Sequence, residues 1–356
     1  MEQVSKKGCK LSELEEKEKE VTASVFLQCA ELIVPWLTPL EIANVSLTCR
    51  AVYQICKSIT LRRSSDASRA FENLPVPFRN TVDNRPYAYF IYTHSLILPV
   101  ASECLRQSWG SNFVTMPNSN LVGQLAMESV NLVDELGQSV SGCDCENCGE
   151  GREEDTSTSG RCPCLSLNAL DVASECGPSC SCGLECGNRL SQKKIAVRLK
   201  IVRDRRKGWG LYADQLIQKG QFVCEYAGEL LTTKDARRRH QFYDELASGG
   251  HFYSALLVVR EHLPSGKACL RINIDATRIG NVARFINHSC DGGNLSTKLV
   301  RSSGALFPRL CFFALKDIQE DEELTFSYGE IRKRPQGLPC FCNSSSCFGI
   351  LPSEDT

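Results

Sequence analysis

The chain has 356 residues and a mass of 39.5 kDa, enough for two or three domains and a substantial core. With 42% hydrophobic and 23% charged residues it is neither disordered nor fibrous, and Lys+Arg (41) against Asp+Glu (42) leaves a net charge of -1, which excludes nucleic-acid binding by bulk charge. The outlier is cysteine: 21 residues, nine of them between Cys143 and Cys186.

Residues 1–20 are a polar, charged tail with no apolar segment of the kind a signal peptide needs. No stretch approaches the roughly 18 apolar residues that span a bilayer. The expectation is an intracellular protein without membrane association, whose thiols stay reduced. Residues 21–65 read as helical. Val25, Phe26, Leu32, Ile33, Trp36 and Leu37 recur at helical spacing, and Ile42, Val45, Val52 and Ile55 continue an apolar face. Thr38-Pro39-Leu40-Glu41 is a helix start: Thr38 as N-cap, Pro39 at the first turn, and Glu41 reaching back to close a capping box. Residues 66–140, broken by Pro75, Pro77, Pro86 and Pro99, read as a connecting region with some helix near 120–136. The cysteine-rich segment follows at 141–194, with a polar loop at 149–160. Residues 195–331 show recurring short apolar runs separated by turns, the pattern of many short strands with few long helices. A cysteine-containing tail occupies 336–352.

The nine clustered thiols are Cys143, Cys145, Cys148, Cys162, Cys164, Cys176, Cys180, Cys182 and Cys186. Dense cysteines in a reducing compartment point to zinc, which takes four ligands tetrahedrally. Nine sulfurs suit neither two separate sites nor three. Three zinc ions need twelve ligand positions, and nine thiolates supply them if three sulfurs bridge two metals each. Such a closed cluster is structural, and its segment folds as it binds metal. Cys340, Cys342 and Cys347, spaced C-x-C-x4-C, form a second and incomplete set. Cys290, in the polar stretch Asn287-His288-Ser289-Cys290, is the choice for its fourth ligand and would pin the tail to the β-rich domain.

Between these two cysteine groups lie Lys207-Gly208-Trp209-Gly210, Glu225-Tyr226-Ala227-Gly228-Glu229, Arg284-Phe285-Ile286-Asn287-His288-Ser289-Cys290 and Glu323-Leu324-Thr325-Phe326-Ser327-Tyr328-Gly329. In this order the motifs resemble those of SET-domain protein lysine methyltransferases of the Su(var) type, within them the plant Su(var)-related subgroup. The resemblance spans about residues 140–352. It implies a pre-SET zinc cluster at 141–194, a SET catalytic domain at 195–331 and a post-SET zinc site at 336–352. The implied fold is mostly β with short helices, small curved sheets closed by a pseudoknot of the stretches around Asn287 and Tyr328, and a small helical N-terminal region. The implied reaction transfers a methyl group from S-adenosylmethionine to a lysine of a histone tail, the family's usual target being lysine 9 of histone H3. By the same resemblance Lys207, Gly208, Trp209, Asn287 and His288 bind the cofactor. Tyr253, near cofactor and lysine channel, and Tyr328, the catalytic tyrosine whose hydroxyl orients the amine, are implied as further cofactor contacts and as the two catalytic residues. Arg284 and Phe285 support the pseudoknot. Phe326 stands at the family's Phe/Tyr switch position, which implies methylation beyond one methyl group. The chain departs from the family in Asp291-Gly292-Gly293-Asn294 after Cys290 and in Ser327 before Tyr328.

Residues 24–60, with Leu37-Thr38-Pro39-Leu40-Glu41-Ile42 at their centre, resemble an F-box, which implies a Skp-type ubiquitin-ligase adaptor as partner. A histone tail within chromatin is the other implied partner, and the nucleus the implied location. Direct nucleic-acid binding is not expected, because Arg203, Arg205, Arg206 and Lys207 are too local a basic group. Glu320, Asp321, Glu322 and Glu323 read as a solvated acidic turn. A catalytically silent adaptor that keeps the SET fold is the alternative to an enzyme, and Asn287, His288 and Tyr328 favour the enzyme.

Overall fold

The computed structural model describes residues 25–97, 143–145, 148, 172–177, 180–248, 252–262, 269–303, 307–329 and 338–352. Cys162, Cys164 and the helix expected near 120–136 lie outside them. The chain divides into two compact units. The smaller holds the described residues up to Asp66 together with Arg85–Tyr89; the larger holds Ala67–Asn84 and the chain from Phe90 onward.

The smaller unit is helical: α1 (residues 25–33), a 3-10 turn at Val34–Trp36, α2 (Pro39–Ser46) and α3 (Arg50–Ser65). The capping box at α2 forms as read. The Glu41 N–H donates to Thr38 Oγ1 at 3.3 Å, and the Thr38 N–H donates to Glu41 Oε2 at 2.7 Å. The core comprises Ala30, Val34, Ile42, Val52, Cys56 and Ile59. Val25, Phe26, Leu32, Ile33 and Trp36 are exposed instead of packed. Arg63 is buried at the end of α3, where it donates to the carbonyls of Pro35 (2.6 Å) and Leu37 (2.9 Å) and lies over the Tyr89 ring. One side chain thus satisfies the carbonyls left open where the 3-10 turn ends.

The larger unit is built from short strands, as the turn-punctuated apolar runs predict. β1 (Phe78–Arg79), β4 (Leu199–Asp204) and β5 (Gly208–Ala213) form one sheet. A second holds β2 (Ile91–Tyr92), β9 (Cys269–Gly280) and β7 (Gly228–Leu231), with β8 (Leu256–His262) also on β9. A third runs β3 (Val172–Glu175), β11 (Leu295–Ser302), β12 (Arg309–Ala314), β6 (Phe222–Glu225). The smallest pairs β10 (Asn287–His288) with β13 (Thr325–Phe326). One longer helix, α4 (Thr233–Ser248), follows β7 and is not signalled by the strand-like pattern around it. Leu211, Ile217, Val223, Ile274, Phe312, Ile318 and Leu324 are completely buried in this unit, an apolar core of the kind that dominates folding free energy.

Two features depart from the sequence reading. Part of the connecting region belongs to the larger unit: β1 runs parallel to β4 (Phe78 opposite Ile201) and β2 parallel to β9 (Ile91 opposite Ile279). A strand also sits within the cysteine-rich segment, β3 pairing parallel with β11 through Val300 opposite Ala173. Such pairings join residues far apart in sequence, so periodicity within a local window cannot reveal them. None of the described helices is long and apolar enough to cross a membrane.

Candidate functional site

The site lies where β5, β10 and β13 converge. β10 and β13 pair in parallel, Asn287 opposite Thr325 and His288 opposite Phe326, although the β11–β12 hairpin separates them in sequence. This is the pairing a pseudoknot requires. It depends on Gly293, at φ +77°, where an added Cβ would come within 2.3 Å of the Thr325 carbonyl oxygen.

On the β5 side, the turn out of β4 is closed by Asp204, whose carboxylate accepts from the N–H groups of Arg206 (2.7 Å) and Lys207 (2.8 Å). Those bonds hold Asp204 below its usual carboxylate range, the Lys207 N–H contributing most. Gly208 then adopts φ +84° and opens β5. The Trp209 ring packs edge-on against Phe78 and under the Arg203 guanidinium. Lys207 Nζ meets Glu323 Oε2 at 2.6 Å, and Asn287 Nδ2 donates to Glu323 Oε1 at 2.8 Å and to the Trp209 carbonyl at 3.4 Å. Lys207 and Asn287 are therefore assembled around one carboxylate, with the Trp209 carbonyl beside the Asn287 amide.

His288 is buried next to Asn287. Its Nδ1 accepts the Tyr328 N–H at 3.1 Å, and its Nε2 lies 3.3 Å from Cys290 Sγ. The Tyr328 hydroxyl donates to the Ile286 carbonyl at 2.8 Å. Burial, reinforced by the negative charge of Glu323, holds that hydroxyl well above the ordinary phenol range, so it stays protonated at neutral pH. An aromatic wall continues from Tyr328 to Phe326 (5.0 Å between centroids), Phe312 (4.8 Å further) and Tyr226 (6.3 Å). Tyr226 is buried, its hydroxyl donates to the Ala255 carbonyl at 2.7 Å, and burial raises it too. The result is a continuous buried aromatic wall that carries two neutral hydroxyls, each donating to a backbone carbonyl.

The cysteines gather in two groups. Cys143, Cys148, Cys176 and Cys182 place their sulfurs within 4.8 Å of one another, as do Cys290, Cys340, Cys342 and Cys347. Four sulfurs about 2.3 Å from a tetrahedral zinc stand about 3.8 Å apart. The pairs Cys143–Cys148 (3.5 Å), Cys143–Cys176 (3.7 Å), Cys148–Cys176 (3.7 Å) and Cys290–Cys340 (3.8 Å) match that edge and lie far beyond a disulfide bond. Backbone N–H groups donate to Cys180, Cys186 and Cys347 at 3.3, 3.3 and 3.4 Å, contacts that a metal-bound sulfur can accept. Both groups therefore fit a sulfur-bound divalent metal. Cys145, Cys180 and Cys186 pack against the first group.

Most of the residues singled out in the sequence thus come together. Tyr253 stands apart: it lies just ahead of β8 and is 58% exposed. Two residues of the site were not singled out. Tyr226 enters the sequence reading only as a member of the motif Glu225–Glu229, with no role of its own, and Glu323 only as the first residue of the motif Glu323–Gly329 and the last of a solvated acidic turn. The pattern Tyr226-Ala227-Gly228 at the end of an apolar strand is the signal for the first; for the second the signal is its place at the head of the motif that ends in Tyr328.

The SET domain family model matches residues 208–329. Histone-lysine N-methyltransferase SUVR3 of Arabidopsis thaliana is 56% identical over 351 residues, covering 94% of this chain and 93% of that protein. The solved methyltransferase domain of human histone-lysine N-methyltransferase SETMAR aligns with a TM-score of 0.58 at 26% identity, over 81% of this chain and 97% of that one. KRYPTONITE, solved in complex with mCHH DNA, an H3(1-15) peptide and SAH, aligns with a TM-score of 0.55 at 27% identity, over 81% of this chain and 53% of that one.

Proposed function

Because this chain belongs to the SET-domain histone-lysine N-methyltransferase family, we propose that it methylates a lysine of the histone H3 tail, lysine 9, with S-adenosylmethionine as donor. The observation that carries this reading is the convergence of the aromatic wall from Tyr328 to Tyr226 with the Lys207–Glu323–Asn287 group at one pseudoknot, a wall we read as one side of the lysine slot. S-adenosylmethionine supplies an activated methyl group on a sulfonium. Lys207, Gly208, Trp209, Asn287, His288 and Tyr328 would form its binding surface, which Tyr253 would join only when the segment ahead of β8 closes on the bound cofactor. A free lysine of pKa about 10.4 is neutral in about one molecule in 2,500 at pH 7, about 4.6 kcal/mol uphill. The slot of Tyr226, Phe312, Phe326 and Tyr328 lowers that cost by desolvating the ammonium. The Tyr328 hydroxyl, anchored on Ile286, orients the amine for in-line attack, and this fixed geometry supplies part of the rate. The H3 peptide held by KRYPTONITE supports the substrate.

The same reading assigns three zinc ions to the nine-cysteine segment and one to Cys290, Cys340, Cys342 and Cys347, and places the protein at chromatin in the nucleus. Residues 21–65 serve as an F-box that docks a Skp-type adaptor. Their exposed Leu40 is the side chain to test: Leu40→Asp abolishes adaptor pull-down while the fold is kept, and capture of no adaptor by the unaltered chain refutes the assignment. The activity is tested with radiolabelled S-adenosylmethionine, histone octamers, and H3 peptides in which the target lysine is either kept or replaced by alanine. Label enters H3 with the unaltered protein, not with Tyr328→Phe, and only where the target lysine remains. Label at no histone, with a folded and metal-loaded protein, favours the silent adaptor.

A further inference from the structure

Glu323 has a largely enclosed carboxylate whose two oxygens are divided between two residues of the cofactor surface. Oε2 takes the Lys207 ammonium at 2.6 Å, and Oε1 takes Asn287 Nδ2 at 2.8 Å; the side chains of Lys207 and Glu323 are only 17% and 15% exposed. The backbone on which Glu323 sits is fixed from several sides. Its carbonyl accepts Asn294 Nδ2 at 2.9 Å, the next residue's N–H donates to the Leu211 carbonyl at 2.8 Å, and Glu323 itself bridges to Tyr212. The second glycine of the Gly-Trp-Gly turn exists for this carboxylate. A Cβ at Gly210 would lie 2.9 Å from Glu323 Oε1 and 3.0 Å from Asn287 Nδ2.

The consequence falls on Asn287. Its amide nitrogen faces a carboxylate and the Trp209 carbonyl, two acceptors, so the orientation of the amide is dictated by chemistry. Both amide hydrogens are committed there. The carbonyl Oδ1 is the atom left to accept, and it can take an ammonium. Lys207, neutralised by Glu323, no longer repels such a group. We propose that Glu323 is a positioning residue that sets this corner to receive the α-ammonium of the cofactor's amino-acid moiety, by aiming the Asn287 carbonyl and cancelling the Lys207 charge. The proposal rests on the reading of this surface as the cofactor site.

The test compares two thioether ligands that differ only in the amino-acid part, S-adenosylhomocysteine and 5′-methylthioadenosine, by titration calorimetry on the full, zinc-loaded chain. In Glu323→Ala, S-adenosylhomocysteine affinity falls roughly tenfold to hundredfold, while 5′-methylthioadenosine changes by less than about twofold. Glu323→Gln lies between, since its carbonyl still accepts from Asn287 but no longer neutralises Lys207. Gly210→Ala, which crowds the same carboxylate from the other side, shows the same selective loss. Because both ligands are measured on one preparation, partial unfolding lowers both and cannot imitate selectivity. Parallel losses for the two ligands, or no loss for either, overturn the proposal. Failure of the unaltered chain to bind S-adenosylhomocysteine overturns the site reading itself, a result no Glu323 variant produces.

Discussion

His288 Nδ1 accepts the backbone N–H of Tyr328 at 3.1 Å. That bond fixes the tautomer: the proton sits on Nε2, which faces Cys290 Sγ at 3.3 Å. One imidazole therefore links the tyrosine of the slot to a sulfur of the tail cysteine group, and its burial among these partners favours the neutral ring. His288→Leu keeps the volume but leaves the Tyr328 N–H without an acceptor, at a cost of about 1–3 kcal/mol. The expected outcome is a lower unfolding midpoint together with a fall in kcat of at least about tenfold, because Tyr328 loses its backbone anchor. A folded variant with unaltered kcat would show that Tyr328 is held by other means.

Phe326 is 4% exposed, and its ring contacts Phe312 and Tyr328 with centroids 4.8 and 5.0 Å away. It has no hydroxyl to hold a water in the slot, which leaves room for an amine that already carries a methyl group. Phe326→Tyr inserts an oxygen into this packed wall, at about 1–3 kcal/mol of stability. On an unmodified H3 peptide the product distribution then shifts from higher methylation states towards monomethyl-lysine, as mass spectrometry reads directly. Unchanged proportions of di- and trimethylated product would place the reacting amine elsewhere.

What could be read in the sequence follows from the range of each signal. The cysteine groups are legible because metal ligands announce themselves by type and spacing, and Cys290 joins the tail cysteines in the structure as the incomplete set required. The Thr38–Glu41 capping box is legible because it is local. The strands β1, β2 and β3 are not, since each is stabilised by a parallel partner far along the chain. The acidic run shows the same limit at single-residue scale. Asp321 is a solvated turn residue, its side chain 78% exposed, whereas Glu323, two positions on, is turned inward to Lys207 and Asn287. Composition treats the two alike; only the register of the chain against β5 separates them. Tyr253, taken from the family position, is 58% exposed just ahead of β8.

The tail cysteine group makes a prediction about metal. Cys340 and Cys290 sulfurs stand 3.8 Å apart, and Cys290 is two residues beyond His288. Loss of the tail metal should therefore reach the slot through His288, while the group around Cys143, Cys148, Cys176 and Cys182 is left intact. Cys342→Ser is expected to lower the metal content by one ion per chain in elemental analysis and to lower methyl transfer at least about tenfold, the scale of a lost ligand or its support. Exhaustive chelation removes the rest and unfolds the cysteine-rich segment, whose described cysteines pack mainly on one another. Release of no zinc from Cys342→Ser would remove this residue from the ligand set.

Glu225, the residue before Tyr226, sets a pH dependence. Its side chain is 11% exposed at the end of β6, and burial raises its carboxyl from 4.5 to about 7 even though Arg309 lies 3.3 Å away and pulls the other way. The direction of the effect follows from the folded state holding the proton more tightly than the unfolded state. The associated stability is fully present below pH 4.5 and is lost as pH rises through about 7. Its size is on the order of 3 kcal/mol. Arg309 remains charged throughout, held by Glu175 and Glu225, so it does not titrate in this window. Urea midpoints of the zinc-loaded protein are therefore expected to fall relative to Glu225→Gln between about pH 5 and pH 8, since the amide cannot ionise. Zinc release at the acid end affects both proteins alike and cancels in the comparison. Parallel curves for the two proteins would mean that Glu225 keeps one protonation state across the range, and that Arg309, not burial, governs it.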